Sequence, residues 1–366
     1  MVPAGVSQTP NVYPVILAGG AGARFWPASR PGQTKPFLSP LGGESLLRRT
    51  YQRAAGLAPK ANIRVACSPE IAAQVREELP EMGDDGLLVE PVPRDTGPAV
   101  GLAALLMQRH DPEAILVVLP ADHLVQDEPR LRQAFQRAIK RCHEQGGLVV
   151  LGAVPHEAAT GYGYIEKGRE LGDEFFQVER FTEKPDAPTA KAFLQGGNHL
   201  WNCGMLVFRA ADMAGEMAAS RPVMAEHLGE AVRLRAAGDA EGWAREFAAC
   251  ECLSLDYAVL EPSDHLVVMP LDAGWSDIGN WESLGRCLPA DDKGNRGMGD
   301  VVALDCSDTL LIGLGVKVGA LGLHDLVVVS TGDAVLVCPR ERAEEVRRLA
   351  DRFAARSVAD EERGKS

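Results

Sequence analysis

The sequence has 366 residues, 46% hydrophobic and 24% charged, which is typical of a globular protein with one large and one smaller domain. Its formal net charge of −13 argues against nucleic acid or an anionic membrane surface as a partner. No apolar run is long enough to span a membrane, and the N-terminus lacks a signal-peptide pattern, so we expect a cytoplasmic protein.

The first 155 residues alternate short apolar runs with helical patterns. Predicted strands cover residues 12–20, 62–68, 86–91, 114–122 and 148–155. Predicted helices cover residues 45–55, 69–79, 96–109 and 129–145. This alternation indicates an α/β fold with a Rossmann-like, mixed but mostly parallel sheet. In such sheets ligands bind at the carboxyl ends of the strands.

The regular alternation fades after residue 155. The predicted elements there are strands at 176–185 and 203–210 and helices at 188–197 and 211–250. After a Gly-rich break, short β-branched runs cut by Gly and Asp indicate a small β-solenoid, and an amphipathic helix follows it. We therefore expect a large domain at 12–288, a β-helix-like domain at 289–340, and a C-terminal helix and tail at 341–366.

Residues 17–38, LAGGAGARFWPASRPGQTKPFL, contain a glycine-rich loop with three cations and no acid. A dinucleotide-binding fingerprint fails here, because Phe25 replaces the third small residue and Pro27 would interrupt the helix. An ATPase phosphate loop fails because no lysine has the required offset. The remaining alternatives are a structural turn with surface cations, or backbone amides that cradle phosphate beside Arg24 and Lys35. The acid-free context favours phosphate.

Two carboxylates are candidate metal ligands. Asp122 follows a strongly apolar strand, and Asp277 lies between aromatic residues and glycines in GWSDIGNW. A carboxylate at the end of a strand in a phosphate site is a natural Mg²⁺ ligand. Asp122 could equally cap a helix, and the sequence alone does not bring the two carboxylates together. The neighbouring His123 has no visible partner in the sequence, so we assign it no catalytic role.

The segment EPVPRDTGPA contains a candidate base-recognition residue. Glu90 ends a predicted strand, Arg94 follows in a proline-rich loop, and Thr96 begins a helix. A carboxylate accepts two hydrogen bonds side by side, and guanine offers two adjacent donors where other bases do not. If Glu90 faces the base, guanine is therefore the matching one. The alternative is a surface glutamate before a turn.

Three further segments have polar or aromatic residues suited to a ligand: GYGYIE (161–166), FTEKP (181–185) and WNCGMLVF (201–208). In an extended chain Glu183 and Lys184 would point to opposite sides, so one could bind sugar hydroxyls and the other a phosphate. Asn202 could bridge hydroxyls, because an amide both donates and accepts. A core or turn role is as plausible for each segment alone.

In their order along the chain, these segments, with LPADH, LDYAVLE and GWSDIGNWESL, resemble the sugar nucleotidyltransferases, specifically the bacterial mannose-1-phosphate guanylyltransferases. The resemblance covers roughly residues 12–340. It implies a nucleotidyltransferase fold with a short β-helical C-terminal piece. It also implies that GTP and α-D-mannose 1-phosphate react to give GDP-mannose and pyrophosphate.

The resemblance also implies roles for individual residues. The nucleotide-binding set is Leu17, Ala18, Gly19, Gly20, Gly22, Arg24, Lys35, Glu90, Arg94, Thr96 and Asp122. Within that set Arg24 and Lys35 bind the triphosphate and Glu90 reads the base. The metal pair is Asp122 and Asp277, for Mg²⁺. The sugar-phosphate set is Tyr162, Gly163, Glu183, Lys184 and Asn202, with Lys184 on the phosphate.

The implied reaction is in-line attack of the sugar phosphate oxygen on the α-phosphorus of GTP, with Arg24, Lys35, Asp122, Lys184 and Asp277 as the catalytic residues. The attacking oxygen is already an anion, so no protein base or nucleophile is needed. Other hexose or heptose 1-phosphates, another nucleotide, or a non-catalytic GDP-sugar sensor stay open, as does a homodimer.

Two departures from the family pattern are visible. TKPFL replaces the usual PKQFL, which introduces Thr34 and Pro36 on either side of the lysine. WNCG replaces WNSG, so Cys203 stands where a hydroxyl donor is usual. We expect the loop around Lys35 to differ from that of other family members.

Overall fold

The computed structural model describes residues 10–20, 22–30 and 32–364. The chain divides into two compact units. The first, called the sheet unit, comprises Met1–Ala18, Thr50–Ala121 and Val125–Trp275. The second, called the β-helix unit, comprises Gly19–Arg49, Asp122–Leu124 and Ser276–Ser366. None of the helices in the described part of the chain has the length and apolar character needed to cross a membrane.

Strands occur from the beginning to near the end of the described chain. They are β1 (Val12–Ala18), β2 (Arg64–Cys67), β3 (Leu87–Val89), β4 (Ile115–Pro120), β5 (Leu124–Val125), β6 (Leu148–Ala153), β7 (Tyr164–Gly172), β8 (Phe175–Thr182), β9 (His199–Arg209), β10 (Leu266–Leu271), β11 (Trp275–Ser276), β12 (Arg296–Met298), β13 (Val301–Leu304), β14 (Leu310–Gly313), β15 (Val318–Leu321), β16 (Leu326–Ser330) and β17 (Val335–Pro339).

The α-helices lie mostly between these strands. They are α1 (Leu46–Ala55), α2 (Pro69–Glu78), α3 (Thr96–His110), α4 (Glu128–Gln145), α5 (Ala187–Gly196), α6 (Ala210–Ser220), α7 (Pro222–Ala236), α8 (Ala240–Ala249), α9 (Trp281–Arg286) and α10 (Val346–Gly364).

A nine-stranded sheet forms the centre of the sheet unit, in the order β3-β2-β1-β4-β9-β6-β10-β8-β7. All its strands except β8 and β9 run in one direction. Val15 and Ile16 of β1 are completely buried although they point to opposite faces, because helices cover both sides. The prediction of an α/β fold with a mixed, mostly parallel sheet is confirmed.

Helix α3 is apolar on nearly all sides because it is packed inside the sheet unit. Gly101 lies in its middle, and a Cβ there would come within 2.6 Å of Met217 Sδ and 2.7 Å of Leu228 Cδ1. Glycine therefore permits close packing of α3 against α6 and α7. The amphipathic α4 instead buries one face, which includes Leu131 and Phe135.

The C-terminal part of the β-helix unit consists of short parallel ladders. Strands β12, β14 and β16 pair in parallel, as do β13 and β15, and β17 closes the first ladder antiparallel to β16. Turns between the strands place Asp305, Asp308 and Asp325 in the left-handed region, with φ near +52°. The regular Gly and Asp interruptions in the sequence reflect these turns, and the predicted β-helical appendage is confirmed.

Two strands of the central sheet were absent from the sequence prediction. Strand β7 begins inside the GYGYIE segment, which the sequence analysis singled out only as suited to a ligand, and its charged residues conceal its alternating pattern. Strand β10 is a short apolar run that could not be distinguished from a buried helix segment. Strand β9 also begins four residues before the predicted start at 203.

Candidate active site

The predicted site residues fall into two groups, one in each unit. The glycine-rich loop, Arg24, Lys35, Asp122 and Asp277 belong to the β-helix unit. The predicted base-reading and sugar-phosphate residues belong to the sheet unit, together with Leu17 and Ala18 at the end of β1. In that unit the Leu17 carbonyl accepts a hydrogen bond from the Ala121 backbone N–H at 3.0 Å.

The glycine-rich loop uses left-handed backbone at two of its glycines. Gly20 has φ +87° and Gly22 has φ +62°, conformations that favour glycine. A short 3-10 helix, Ala23–Phe25, follows. Phe25 is buried and packs edge-on against Trp281, with ring centroids 4.9 Å apart. Buried aromatic packing therefore fixes Phe25, the residue after Arg24. The sequence alone showed only that Phe25 breaks the dinucleotide-binding fingerprint.

Gly22 also approaches Lys35 closely. A Cβ on Gly22 would lie 2.6 Å from Lys35 Cβ and 3.1 Å from the Lys35 backbone nitrogen. Lys35 begins a second 3-10 helix, Lys35–Phe37, in which Pro36 takes an early position that needs no N–H donor. Thr34 Oγ1 is buried without a hydrogen-bond partner among the described residues. The unusual TKPF sequence thus forms a compact turn against Gly22.

The Lys35 ammonium contacts the Asp122 carboxylate and the backbone of Asp277, the two residues predicted to bind metal. Its Nζ lies 2.8 Å from Asp122 Oδ2 and 2.6 Å from the Asp277 backbone oxygen. Burial acts to raise the pKa of Asp122, but the charges of Lys35 and His123 hold that pKa below its ordinary value. His123 Nε2 lies 3.7 Å from Asp122 Oδ1. Asp122 is therefore held as a carboxylate.

Asp277 lies on a strained segment. The Gly279 backbone N–H donates to Asp277 Oδ1 at 3.2 Å. The next residue, Ile278, is completely buried and has φ +38°, a conformation rare for a β-branched residue. Such strain costs on the order of 1–3 kcal/mol and clusters at functional sites. The buried Ile278 side chain keeps this turn in place.

Nucleotidyltransferases generally use a divalent metal ion. The described residues contain no group of three or more His, Cys, Asp or Glu side chains arranged to hold one. Two aspartates within one unit do fit such an ion, because hard carboxylate oxygens suit Mg²⁺, which usually takes few protein ligands together with substrate phosphates. The lowered pKa of Asp122 supports the charged form that a metal needs.

Glu90 of the sheet unit directly follows β3 and is 8% exposed. Its backbone N–H donates to the Cys67 carbonyl at 2.9 Å, which extends the β2–β3 ladder by one bond. Burial, and secondarily the charge of Asp95, raises the pKa of Glu90 to about 7. A buried carboxyl that titrates near neutrality is atypical of a surface glutamate before a turn.

Arg94 and Thr96 make contacts within the sheet unit. Arg94 Nη2 donates to the Ala248 carbonyl, and Arg94 Nε is buried without a hydrogen-bond partner in the described parts of the chain. Thr96 is the first residue of α3, and its Oγ1 accepts from the Leu255 backbone N–H at 2.9 Å. Both side chains thus brace the loop that follows Glu90.

The predicted sugar-phosphate residues cluster in the sheet unit. The Asn202 N–H donates to the Gly163 carbonyl at 2.8 Å, and a Cβ on Gly163 would lie 2.5 Å from Glu183 Oε2. Tyr162 packs edge-on against Trp201, with ring centroids 4.9 Å apart. Glycine at 163, directly before β7, therefore leaves room for the Glu183 carboxylate.

The expected alternation of Glu183 and Lys184 is wrong. Lys184 has φ +44°, so the chain turns there instead of continuing extended. Its ammonium consequently folds back and donates to Glu183 Oε1. The Glu183 side chain is 6% exposed, whereas that of Lys184 is 59% exposed. The pair presents one cation toward solvent, above a buried carboxylate.

Asp256 is a member of this cluster that the sequence reasoning missed. Asn202 Nδ2 donates to Asp256 Oδ1 at 2.7 Å, while Asn202 Oδ1 accepts from the Gly204 N–H at 3.0 Å. Burial, and next the charge of Glu183, raises the pKa of Asp256 to about 6. The available signal was the LDYAVLE segment, in which Asp256 begins a single π-helical turn.

The substituted residue Cys203 lies in the protein interior. It is completely buried, and burial raises the pKa of its thiol. Strand β9 is irregular at this point, with a register shift against β6 and φ +64° at Gly204. In this protein the residue at 203 is therefore a core residue.

The fold and the glycine-rich loop after β1 define a protein of the nucleotidyltransferase class. A family model described as nucleotidyl transferase matches residues 13–293, and a MannoseP isomerase/GMP-like beta-helix domain matches residues 299–353. The chain belongs to the mannose-1-phosphate guanylyltransferase family within that class.

Individual relatives agree with this placement. A mannose-1-phosphate guanylyltransferase of Klebsiella pneumoniae is 39% identical, over 93% of this chain and 73% of the relative. The xanthan biosynthesis protein XanB of Xanthomonas campestris pv. campestris is 40% identical, over 95% of this chain and 75% of the XanB chain. A Thermus thermophilus crystal structure, described as a mannose-1-phosphate geranyltransferase, has a TM-score of 0.83 and 34% identity, covering 94% of this chain and 99% of that one.

Proposed function

We propose that this protein transfers a guanylyl group from GTP to α-D-mannose 1-phosphate, giving GDP-mannose and pyrophosphate. Relatives that carry this activity in their names support the reaction. The observation that carries the proposal is the Lys35 ammonium, which lies 2.8 Å from Asp122 Oδ2 and 2.6 Å from the Asp277 carbonyl oxygen. A cation between two acidic segments beside a glycine-rich loop suits a site that binds a polyanion.

The reaction needs positioning and charge more than acid–base chemistry. A phosphate oxygen of mannose 1-phosphate forms a bond to the α-phosphorus of GTP, and the bond from that phosphorus to the β-phosphate oxygen breaks. The electron pair leaves with pyrophosphate, so no protein nucleophile is required. Arg24 and Lys35 stabilise the charge on the leaving pyrophosphate, and backbone amides of the glycine-rich loop hold the phosphates.

We assign base recognition to Glu90. As a carboxylate it accepts hydrogen bonds from the N1–H and N2–H₂ groups of guanine. Its burial strengthens these bonds, because a charged acceptor in a region of low dielectric has no competing water. We assign Arg94 and Thr96 to nucleotide binding as well, because both brace the loop that follows Glu90.

We assign mannose 1-phosphate to the sheet-unit cluster. The exposed ammonium of Lys184 holds the sugar phosphate and orients the attacking oxygen. Glu183, Asn202 and the Gly163 backbone accept and donate hydrogen bonds to the sugar hydroxyls, and Tyr162 supplies an aromatic surface. Asp256 fixes the Asn202 amide through its 2.7 Å hydrogen bond.

Asp122 and Asp277 are the residues that would hold Mg²⁺. When bound, the ion supplies Lewis-acid stabilisation of phosphoryl oxygens. Lys35 keeps Asp122 deprotonated and thereby ready for a cation. The domain boundaries at residues 288 and 340, the homodimer and the cytoplasmic location stay predictions of the sequence.

The direct test is pyrophosphate release from GTP and mannose 1-phosphate, with and without Mg²⁺. We expect turnover that requires both substrates and the metal ion. ATP, UTP and glucose 1-phosphate serve as matched alternatives. Preference for UTP would overturn the assignment of Glu90, and binding of GDP-mannose without turnover would indicate a sensor in place of an enzyme.

A further inference from the structure

A carboxylate from the C-terminal part of the β-helix unit contacts the glycine-rich loop. Glu344 Oε2 accepts a hydrogen bond from Arg24 Nη1 at 2.8 Å. Glu344 lies in the 3-10 helix Arg340–Glu345, which connects β17 to α10. The cation assigned to the triphosphate is therefore paired with a protein carboxylate.

The other carboxylate oxygen of Glu344, Oε1, has a more deeply buried partner. Asn280 Nδ2 donates to Glu344 Oε1, and Asn280 is only 9% exposed. Asn280 is also the N-cap of α9, where its Oδ1 accepts from the Ser283 N–H at 2.8 Å in a capping box. Glu344 is thus anchored through Asn280 to a buried helix start, three residues after Asp277.

The ion pair between Arg24 and Glu344 is far more exposed than Asn280. The side chains of Arg24 and Glu344 are 44% and 60% exposed, respectively. Exposed ion pairs contribute little to stability, so a polyanion can displace one at little cost. A side chain at Gly279 would lie 3.5 Å from Arg24 Nη1 and 3.1 Å from Asp277 Oδ2, so the guanidinium rests next to the metal-ligand segment.

The C-terminal helix fixes the loop that carries this arginine. The Trp26 ring stacks on Phe353 of α10, with centroids 4.8 Å apart and an angle of 7° between the rings. Trp281 Nε1 donates to the Trp26 carbonyl at 2.8 Å. Two contacts therefore hold Trp26, two residues after Arg24, so the Arg24 side chain can exchange partners by rotation while this part of the loop stays in place.

We propose that Glu344 is a positioning residue that competes with the triphosphate for Arg24. It holds the guanidinium beside Asp277 when no nucleotide is bound and yields it to the phosphates of GTP. It takes the guanidinium back as pyrophosphate leaves. Glu344 thereby weakens GTP and pyrophosphate binding to the same extent and favours product release. This inference rests on the proposed function, because it assumes that Arg24 binds the triphosphate.

The test is the variant Glu344→Gln, which keeps an acceptor for Asn280 but removes the charge. We expect the Kd for GTP and the inhibition constant of pyrophosphate to fall about two- to fivefold, the range that loss of an exposed ion pair allows. The KM for mannose 1-phosphate should stay unchanged. Glu345→Gln is the matched control, because Glu345 pairs with Arg342 and Arg348 instead.

A double-mutant cycle separates competition for Arg24 from general charge repulsion. In an Arg24→Ala background Glu344→Gln should leave the Kd for GTP unchanged, since no guanidinium is left to compete for. A tightening that persists in this background, or weaker GTP binding by Glu344→Gln alone, would overturn the proposal.

The same cycle distinguishes failure of this inference from failure of the proposed function. If Arg24→Ala weakens GTP binding while Glu344→Gln has no effect, only the role of Glu344 is wrong. If Arg24→Ala leaves GTP binding unchanged, the assignment of Arg24 to the triphosphate is wrong as well. Glu344→Ala, checked by thermal unfolding, replaces the glutamine variant if that variant does not fold.

Discussion

Lys35 and Asp122 form an ion pair whose Nζ and Oδ2 atoms are 2.8 Å apart, with side chains only 9% and 23% exposed. The same ammonium also donates to the Asp277 carbonyl oxygen at 2.6 Å. One lysine therefore links the glycine-rich loop region, the segment after β4 and the segment before α9. Its loss should affect binding, catalysis and stability together.

Lys35→Met should lower kcat/KM about 10²–10³-fold, by analogy with removal of a donor that stabilises developing charge. It should also lower the free energy of unfolding by about 1–3 kcal/mol, because Asp122 loses its partner. Asp122, whose pKa is lowered in the folded protein, stabilises the fold above its ordinary pKa and loses that effect as pH falls. The stability difference should therefore shrink toward acid pH.

Steady-state pyrophosphate release and urea unfolding at several pH values measure these effects. Lys317→Met is the control, because the Lys317 side chain is 89% exposed and its Nζ lies 3.5 Å from Asp300. Near-normal turnover of Lys35→Met would contradict the role given to this lysine.

Gly22→Ala should disrupt the same site from the loop side. Its Cβ would lie 2.6 Å from Lys35 Cβ, and φ +62° disfavours any side chain. Gly42 has φ +75° but nothing within 4 Å of an added Cβ, so Gly42→Ala measures the backbone cost alone. We expect Gly42→Ala to cost about 1 kcal/mol of stability with normal turnover. Gly22→Ala should cost more and raise the KM for GTP at least tenfold. Equal behaviour of the two variants would show that the contact with Lys35 is unimportant.

The sequence predicted the first half of the fold well because each of strands β1 to β4 is a short apolar run followed by a helical pattern. The lack of acidic residues in the sequence around Arg24 and Lys35 favoured a phosphate site, and the roles of these residues stay predictions. The relation of Asp122 to Asp277 could not be predicted, because only folding brings Lys35 to both segments.

Local conformation limited the prediction in the sugar-phosphate cluster. Lys184 adopts a left-handed backbone that lysine rarely takes, so an extended chain was the natural expectation. Asp256 escaped notice because a single aspartate at a helix start is usually a cap. Glu344 lies among surface charges of the C-terminal segment, and its contacts with Arg24 and Asn280, which only folding creates, distinguish it from them.

The affinity for GTP should depend on pH through Glu90. Its pKa of about 7 means that protonation competes with guanine for the carboxylate, so binding should release a proton near neutrality. Below pH 7 the Kd for GTP should rise, approaching tenfold per pH unit. Glu90→Gln should weaken GTP binding about 10–100-fold at pH 8, because an amide offers one acceptor and opposes a second donor.

Calorimetric titrations of GTP between pH 5.5 and 8.5 test the Glu90 prediction. The nucleotide phosphates also titrate in this pH range, but they affect wild type and variant alike. The Glu90→Gln variant is therefore the control for phosphate titration. The difference between the two proteins should vanish at low pH. Parallel pH curves for wild type and variant would remove Glu90 from base recognition.

Asp256→Asn should stabilise the protein in a pH-dependent way. Burial raises the pKa of Asp256 to about 6, so the folded state pays an increasing penalty for its charge as pH rises from about 4 to 6. The variant keeps an acceptor for Asn202 but carries no charge. Its free energy of unfolding should exceed that of wild type by about 2–3 kcal/mol above pH 6, with the difference falling to zero near pH 4.

Urea unfolding between pH 4 and 8 measures this difference, and Asp264→Asn, at an exposed position, is the control. Stability curves that run parallel for Asp256→Asn and wild type would mean that the Asp256 carboxylate is solvated. A rise in the KM for mannose 1-phosphate with unchanged KM for GTP would further tie Asp256 to the sugar-phosphate cluster.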